Sequence, residues 1–176
     1  MLSEKELLEH GIDSTRKANL LKLATHLKKL DRAKFDMSGF YEYYDDKEQE
    51  IISLTPDELE VYDTEPTHCG SVACAVGCGP AAGIQVTETD EDWDTYSRRV
   101  FIQRNEEGEF LDRFLAFRTW TFLFSGCWSQ IDNSPLGAAE RIEFLLENGL
   151  KGIWPDDMNE GDFFDSLDKN ALPYKK

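Results

Sequence analysis

Between Thr67 and Ile84 the chain reads Thr-His-Cys-Gly-Ser-Val-Ala-Cys-Ala-Val-Gly-Cys-Gly-Pro-Ala-Ala-Gly-Ile, which places three of the four cysteines and one of the three histidines in a run of small side chains. A backbone so poorly covered comes close to a neighbouring element or leaves room for something to bind, and in either case belongs at the centre of the fold. Pro66 turns Glu65 toward extended angles. Helix formation is then expected from about Ser71, with Cys69 and Gly70 at its N-terminal end, and Gly77 and Gly79 break it around Cys78 before Pro80 starts a further turn.

The rest of the chain predicts helices to pack against this hub. Ser3 and Glu6 have capping-box spacing and open a helix over about 3–10. Asp13 or Ser14 caps a longer one over about 14–30, whose Leu20, Leu23, Ala24, Leu27 and Leu30 form an apolar stripe, with His26 beside it as a packed or surface side chain. Gln49 to Leu54 reads as a short strand, and Thr55 with Pro56 as a helix start. Thr87 or Thr89 caps a helix through Trp93 and Tyr96 with Glu91 and Asp92 in its first turn, and Val100-Phe101-Ile102 follows as a strand. Glu109 to Trp128 is apolar enough for one or two buried helices. Asn133 or Ser134 caps the last long helix, which has Pro135 in first position, Ala138, Ala139, Ile142, Leu145 and Leu146 on its apolar face, and Asn148-Gly149 as its stop. Trp154, Phe163, Phe164 and Leu167 tack the C-terminal stretch to the body. The expected fold is mainly α, with α+β as the variant: one domain over 1–176 with a helical, bundle-like core and at most a small sheet, the 109–128 and 135–148 helices packing on the cysteine helix.

Charge is the second constraint. The 176 residues carry 35 acids against 19 Lys and Arg, a formal net charge of −16. Residues 1–35 hold eight bases and five acids, 36–66 hold eleven acids and Lys47 alone, and 156–168 hold six acids and no base. Segment 38–66 therefore reads as an acidic insertion and 155–176 as an acidic C-terminal segment. Such a field repels phosphate backbones and draws basic surfaces, so direct nucleic-acid binding is not expected. No apolar run approaches a membrane span and Met1-Leu2-Ser3-Glu4-Lys5 lacks signal-peptide character, so a cytoplasmic chain with reduced thiols is expected.

Four blocks carry a resemblance: Phe35-Asp36-Met37; Cys69-Gly70-Ser71-Val72-Ala73-Cys74-Ala75-Val76-Gly77; Phe122-Leu123-Phe124; and Asn133-Ser134-Pro135-Leu136-Gly137-Ala138-Ala139-Glu140-Arg141-Ile142. Together they resemble a family of small hypothetical proteins of bacteria and their phages, marked by an FDM turn, a CG(T/S)xACxxG helix start, an LF pair and a TPxxAAxRI helix. The resemblance covers about half of the chain, implies a shared fold and a bacterial or phage origin, and supplies no mechanism. Cys78 and the long 38–66 segment depart from that pattern.

Three chemistries are weighed for the hub. Cys69 at a helix N-terminus has the placement of a thiol nucleophile, with its thiolate stabilised by unpaired N–H groups. His68 is the histidine nearest in sequence, but adjacent side chains diverge, and no histidine follows residue 68, so the downstream base of papain-like enzymes is missing. Cys74 and Cys78, four residues apart, together with His68, Cys69 or Cys127, form a candidate zinc set, without the paired CxxC knuckles that mark such sites. The third reading makes the thiols small apolar packing. Asp90, Glu91, Asp92 and Asp94 read as a solvated helix start, and Arg98-Arg99 as a pair that balances nearby acid.

The favoured expectation is a non-enzymatic acidic protein that binds a basic protein partner, as a nucleic-acid mimic or an inhibitor, with no metal and no cofactor. The alternative is a cysteine-dependent enzyme that uses Cys69, with His68 beside it.

Overall fold

The computed structural model describes residues 2–45, 50–61, 72–84, 91–103, 115–169 and 171–175, with backbone alone at 43–45, 50–52, 57, 60 and 61. Local signals place the first helices. Ser3 caps α1 (Glu4–Glu9) through a reciprocal bond with Glu6, and Asp13 caps α2 (Ser14–Leu27) by accepting the Arg16 N–H at 2.8 Å. The α2 stripe of Leu20, Leu23, Ala24 and Leu27 is buried. Removing such a side chain from water contributes about 2 kcal/mol.

The acidic 38–66 segment supplies a sheet that sequence reading recognised only at one strand. β1 (Tyr41–Asp45) and β2 (Glu50–Ser53) pair antiparallel with Glu42 opposite Ser53 and Asp45 opposite Glu50. Tyrosine at 41, 43 and 44 is strand-favouring and was the available signal. α3 (Pro56–Val61) follows, with Pro56 in its first turn as expected.

The hub departs from expectation. Val72–Ala73 form β3, not a helix, and complete the sheet in the order β2-β1-β3, with Tyr41 opposite Ala73 and Glu42 opposite Val72. The Cys74 N–H donates to the Phe40 carbonyl at 3.0 Å and the Asp36 N–H donates to the Ala73 carbonyl at 3.1 Å. These bonds to distant backbone take the place of helical ones. Residues 75–83 continue as turns, among them a Cys78 N–H to Cys74 carbonyl bond of 3.0 Å. The small residues do permit close approach, but to a loop and an aromatic ring and not to a helix. A Cβ at Gly77 would collide with the Phe40 carbonyl oxygen, and one at Gly79 with the Tyr96 hydroxyl.

Asp92, and not Thr87 or Thr89, caps α4 (Trp93–Val100), accepting the Thr95 N–H at 2.7 Å; residues 85–90 lie outside the described set. Val100 is the last helical residue, so the strand expected at 100–102 is the end of α4 and a turn. The Ile102 N–H bonds back to Ser97, and the Gln103 N–H to the Gly11 carbonyl at 2.8 Å. α5 (Leu115–Phe124) and a 3₁₀ turn, Gly126–Gln130, occupy the described part of the apolar 109–128 stretch.

α6 (Pro135–Asn148) follows its signals closely: Ser134 caps it, Pro135 opens it and Gly149, at φ 67°, ends it. Its main neighbour is α2, with α5 second. α2 therefore takes the place expected of a cysteine helix. α7 (Glu160–Ser166) is anchored by the buried Phe163 and Phe164, and Trp154 stacks on Phe163 with ring centroids 4.0 Å apart. The chain is mainly helical with one small sheet. Among the described residues, no helix is long and apolar enough to cross a membrane.

Candidate functional site

His68 and Cys69, the catalytic candidates of the sequence, lie outside the described residues, as do Gly70 and Ser71. The structure does bring three of the signature blocks together just beyond them. The Met37 N–H donates to Asn133 Oδ1 at 2.8 Å, and Asn133 Nδ2 donates to Asp36 Oδ1 at 3.0 Å. Ser38 N–H reaches the same Asp36 oxygen at 2.9 Å. The turn at 35–37 is thereby tied to β3 on one side and to the approach of α6 on the other. Burial works to raise the Asp36 pKa, but the Ser38 backbone and hydroxyl, the Asn133 amide and Arg32 outweigh it and hold the carboxyl below its ordinary range.

Cys74 follows Ala73, whose carbonyl accepts the Asp36 N–H, and is buried. Burial pushes its thiol up to about 11 despite hydrogen bonds from the backbone of Gly77, Val76 and Cys74, and the Asp36 charge pushes the same way. Cys78 is raised further, chiefly by burial and then by Cys74. Neither is a thiolate at neutral pH, so neither is an activated nucleophile. Both serve as small apolar packing, while Cys127 is exposed.

The histidines do not change this. His10 Nδ1 lies 2.7 Å from Thr119 Oγ1, whose hydroxyl donates to the Leu115 carbonyl at 2.8 Å, so in that bond the imidazole is the donor. His26 lines a cavity of about 20 Å³ with Cys78, but its buried Nε2 has no hydrogen-bond partner. Burial, then Lys29, lowers the His26 pKa while burial raises that of Cys78. Both shifts favour neutral groups, the reverse of a thiolate–imidazolium pair. Among the described residues, no three His, Cys, Asp or Glu side chains converge as metal ligands.

Sequence reading missed a second cluster, next to the first. The nearly buried Asp132 accepts the Ser134 hydroxyl at 2.6 Å, the Tyr174 hydroxyl at 2.9 Å and Lys175 Nζ at 3.1 Å. Its carboxylate packs so closely on the first turn of α6 that a Cβ at Gly137 would overlap it. Burial works to raise the Asp132 pKa, but hydrogen bonds from Ser134, Lys175 and Tyr174 and the Lys175 charge together outweigh it and hold the carboxyl below its ordinary range. Behind it Arg141 is completely buried, with its guanidinium 4.2 Å from the Trp128 ring centroid and 5.6 Å from that of Tyr174. The signal in the sequence was a charged residue at helical spacing among Ala138, Ile142 and Leu145.

The acids also sort differently from expectation. Glu91 precedes α4 and its side chain is wholly buried, gripped by Arg99 through Nε at 2.8 Å and Nη2 at 2.7 Å, so it is not part of a solvated helix start. Arg98 pairs with Asp94, so the two arginines do balance nearby acid. The 156–168 stretch, by contrast, faces water: Asp156, Asp157, Asp162, Asp165 and Asp168 are exposed while Trp154, Phe163 and Phe164 point into the core. Arg118, itself buried, fixes Asp156 through a 2.7 Å ion pair.

No family model, curated protein or solved structure matches this chain.

Proposed function

We propose that the protein is a non-enzymatic acidic interaction protein, of bacterial or phage origin as its sequence resemblance implies, that binds a basic partner and acts as an inhibitor or nucleic-acid mimic. The observation that carries the reading is the 156–168 ridge. Its aspartates are exposed on a backbone held by buried aromatic side chains. Anionic groups held on a firm support present a basic surface with a pattern of charge at little ordering cost. The protonated, buried state of Cys74 and Cys78 supports the same reading, because it removes these two thiols as nucleophiles.

The test is affinity capture from bacterial lysate on the wild-type protein and on an Asp157→Asn, Asp162→Asn, Asp165→Asn variant, eluted with a salt gradient. A basic protein retained by the first, lost from the second and released as salt rises is the expected result. Retention of the same proteins by both baits, or retention insensitive to salt, refutes the proposal.

A further inference from the structure

One face of this acidic chain is basic. An open groove of about 590 Å³ runs between α2 and the turn at 81–82, lined by Lys22, His26 and Lys29 together with small and apolar side chains, among them Leu21 and Ala82. Among the described residues, no acid lines it. Lys28 is neutralised by Glu143 at 2.5 Å, whereas Lys22 and Lys29 are exposed and, among the described residues, neither is held by a carboxylate. Leu21 keeps 43% of its surface in water, so a partner seated on the groove gains apolar burial as well as charge.

The surface that complements this groove belongs to the same chain. Asp157, Asp162, Asp165 and Asp168 are exposed on the 156–168 ridge, and the partly buried Met158 and Leu167 leave apolar area between them. The ridge is fixed to α5 and to the 3₁₀ turn, by Asp156 to Arg118, Glu160 to Ser125 and Lys169 to Gln130. None of these bonds runs to α2, so among the described residues the ridge of one copy does not cover its own groove. Two chains of net charge −16 repel at long range, but at about 0.1 M salt screening confines electrostatics to about 10 Å, where the facing patches set the sign.

We propose that the groove beside α2 docks the 156–168 ridge of a second copy of this chain. Groove and ridge are different surfaces, so the contact is heterologous and an open assembly keeps one free ridge at its end. The inference rests on the reading of the ridge as a docking surface for basic groups and names the protein itself as one partner.

The experiment is sedimentation velocity of the full chain over a concentration series at about 0.01, 0.1 and 1 M salt. It compares wild type, Lys22→Glu/Lys29→Glu, Asp162→Lys/Asp165→Lys and an equimolar mixture of the two variants, all with substitutions at exposed side chains. Wild type is expected to rise with concentration toward twice the mass of one chain at about 0.1 M. It stays lower at about 0.01 M, where the net charges repel over about 30 Å, and at about 1 M, where the patches are screened. Each variant alone remains monomeric, and the mixture associates because every groove then meets a ridge of opposite charge. A wild type that is monomeric throughout, association that survives reversal of either surface, or a mixture that stays monomeric overturns the proposal. Capture of a basic lysate protein by a chain that does not self-associate overturns this inference and leaves the proposed function standing; self-association with no lysate partner does the reverse.

Discussion

Replacing Arg99 with alanine is expected to cost more stability than replacing Glu91, although the two form one ion pair. The Glu91 side chain is fully buried whereas that of Arg99 keeps 27% of its surface in water. Removing the arginine strands a carboxylate that no solvent reaches, a loss of about 3–4 kcal/mol for a broken buried pair. Removing the glutamate leaves a guanidinium that retains water and the Tyr96 ring, 5.6 Å from its centre, so the cost falls to about 1–2 kcal/mol. The double variant, which leaves no stranded charge, is expected to be more stable than Arg99→Ala alone. Urea unfolding monitored by fluorescence gives the three free energies, and at about 2–4 °C per kcal/mol the single variants differ in Tm by several degrees. A Glu91→Ala loss equal to or larger than the Arg99→Ala loss, or a double variant less stable than either, refutes the reasoning.

Two further outcomes follow from the buried thiols and from His26. In native protein at pH 8, iodoacetamide is expected to modify Cys127 and to leave Cys74 and Cys78 untouched until denaturant is added, as peptide mass spectrometry will show; rapid labelling of Cys69 well below that pH would favour the cysteine-enzyme alternative. His26 has a folded pKa below its ordinary 6.5, so as pH falls past that value the unfolded chain takes up a proton that the folded chain resists, and stability declines until the folded pKa is passed. Lys22, Lys29, Lys34, Tyr41 and Cys78 are the titratable groups that line the clefts it shares. His26→Leu is expected to flatten the stability profile just below pH 6.5 in urea titrations, and a profile unchanged by the substitution counts against the burial argument. Asp36, Asp92 and Asp132, with pKa values lowered from 3.8, lose their contribution only in a separate, more acidic window.

The sequence by itself determined the features that a few neighbouring residues control. The capping box at Ser3 and Glu6, the Asp13 cap, the Pro135 start and Gly149 stop of α6, and the apolar stripe of α2 are each complete within a turn or two of helix. Only tertiary structure decided the rest, because hydrophobic spacing reports which face is buried and not what lies against it. Val72 and Ala73 are a strand because β1, some thirty residues earlier, supplies their hydrogen-bond partners. Asp36 meets Asn133 across 97 positions and Tyr174 meets Asp132 across 42, so neither polar cluster had a local signature beyond the misplaced charge of Arg141. Net charge was readable as a sum over residues, but its division was not. Glu91 disappears into the core while Asp157 and Asp165 stay in water, because Arg99 stands ready to receive the first and the aromatic anchors of the C-terminal segment turn the others outward.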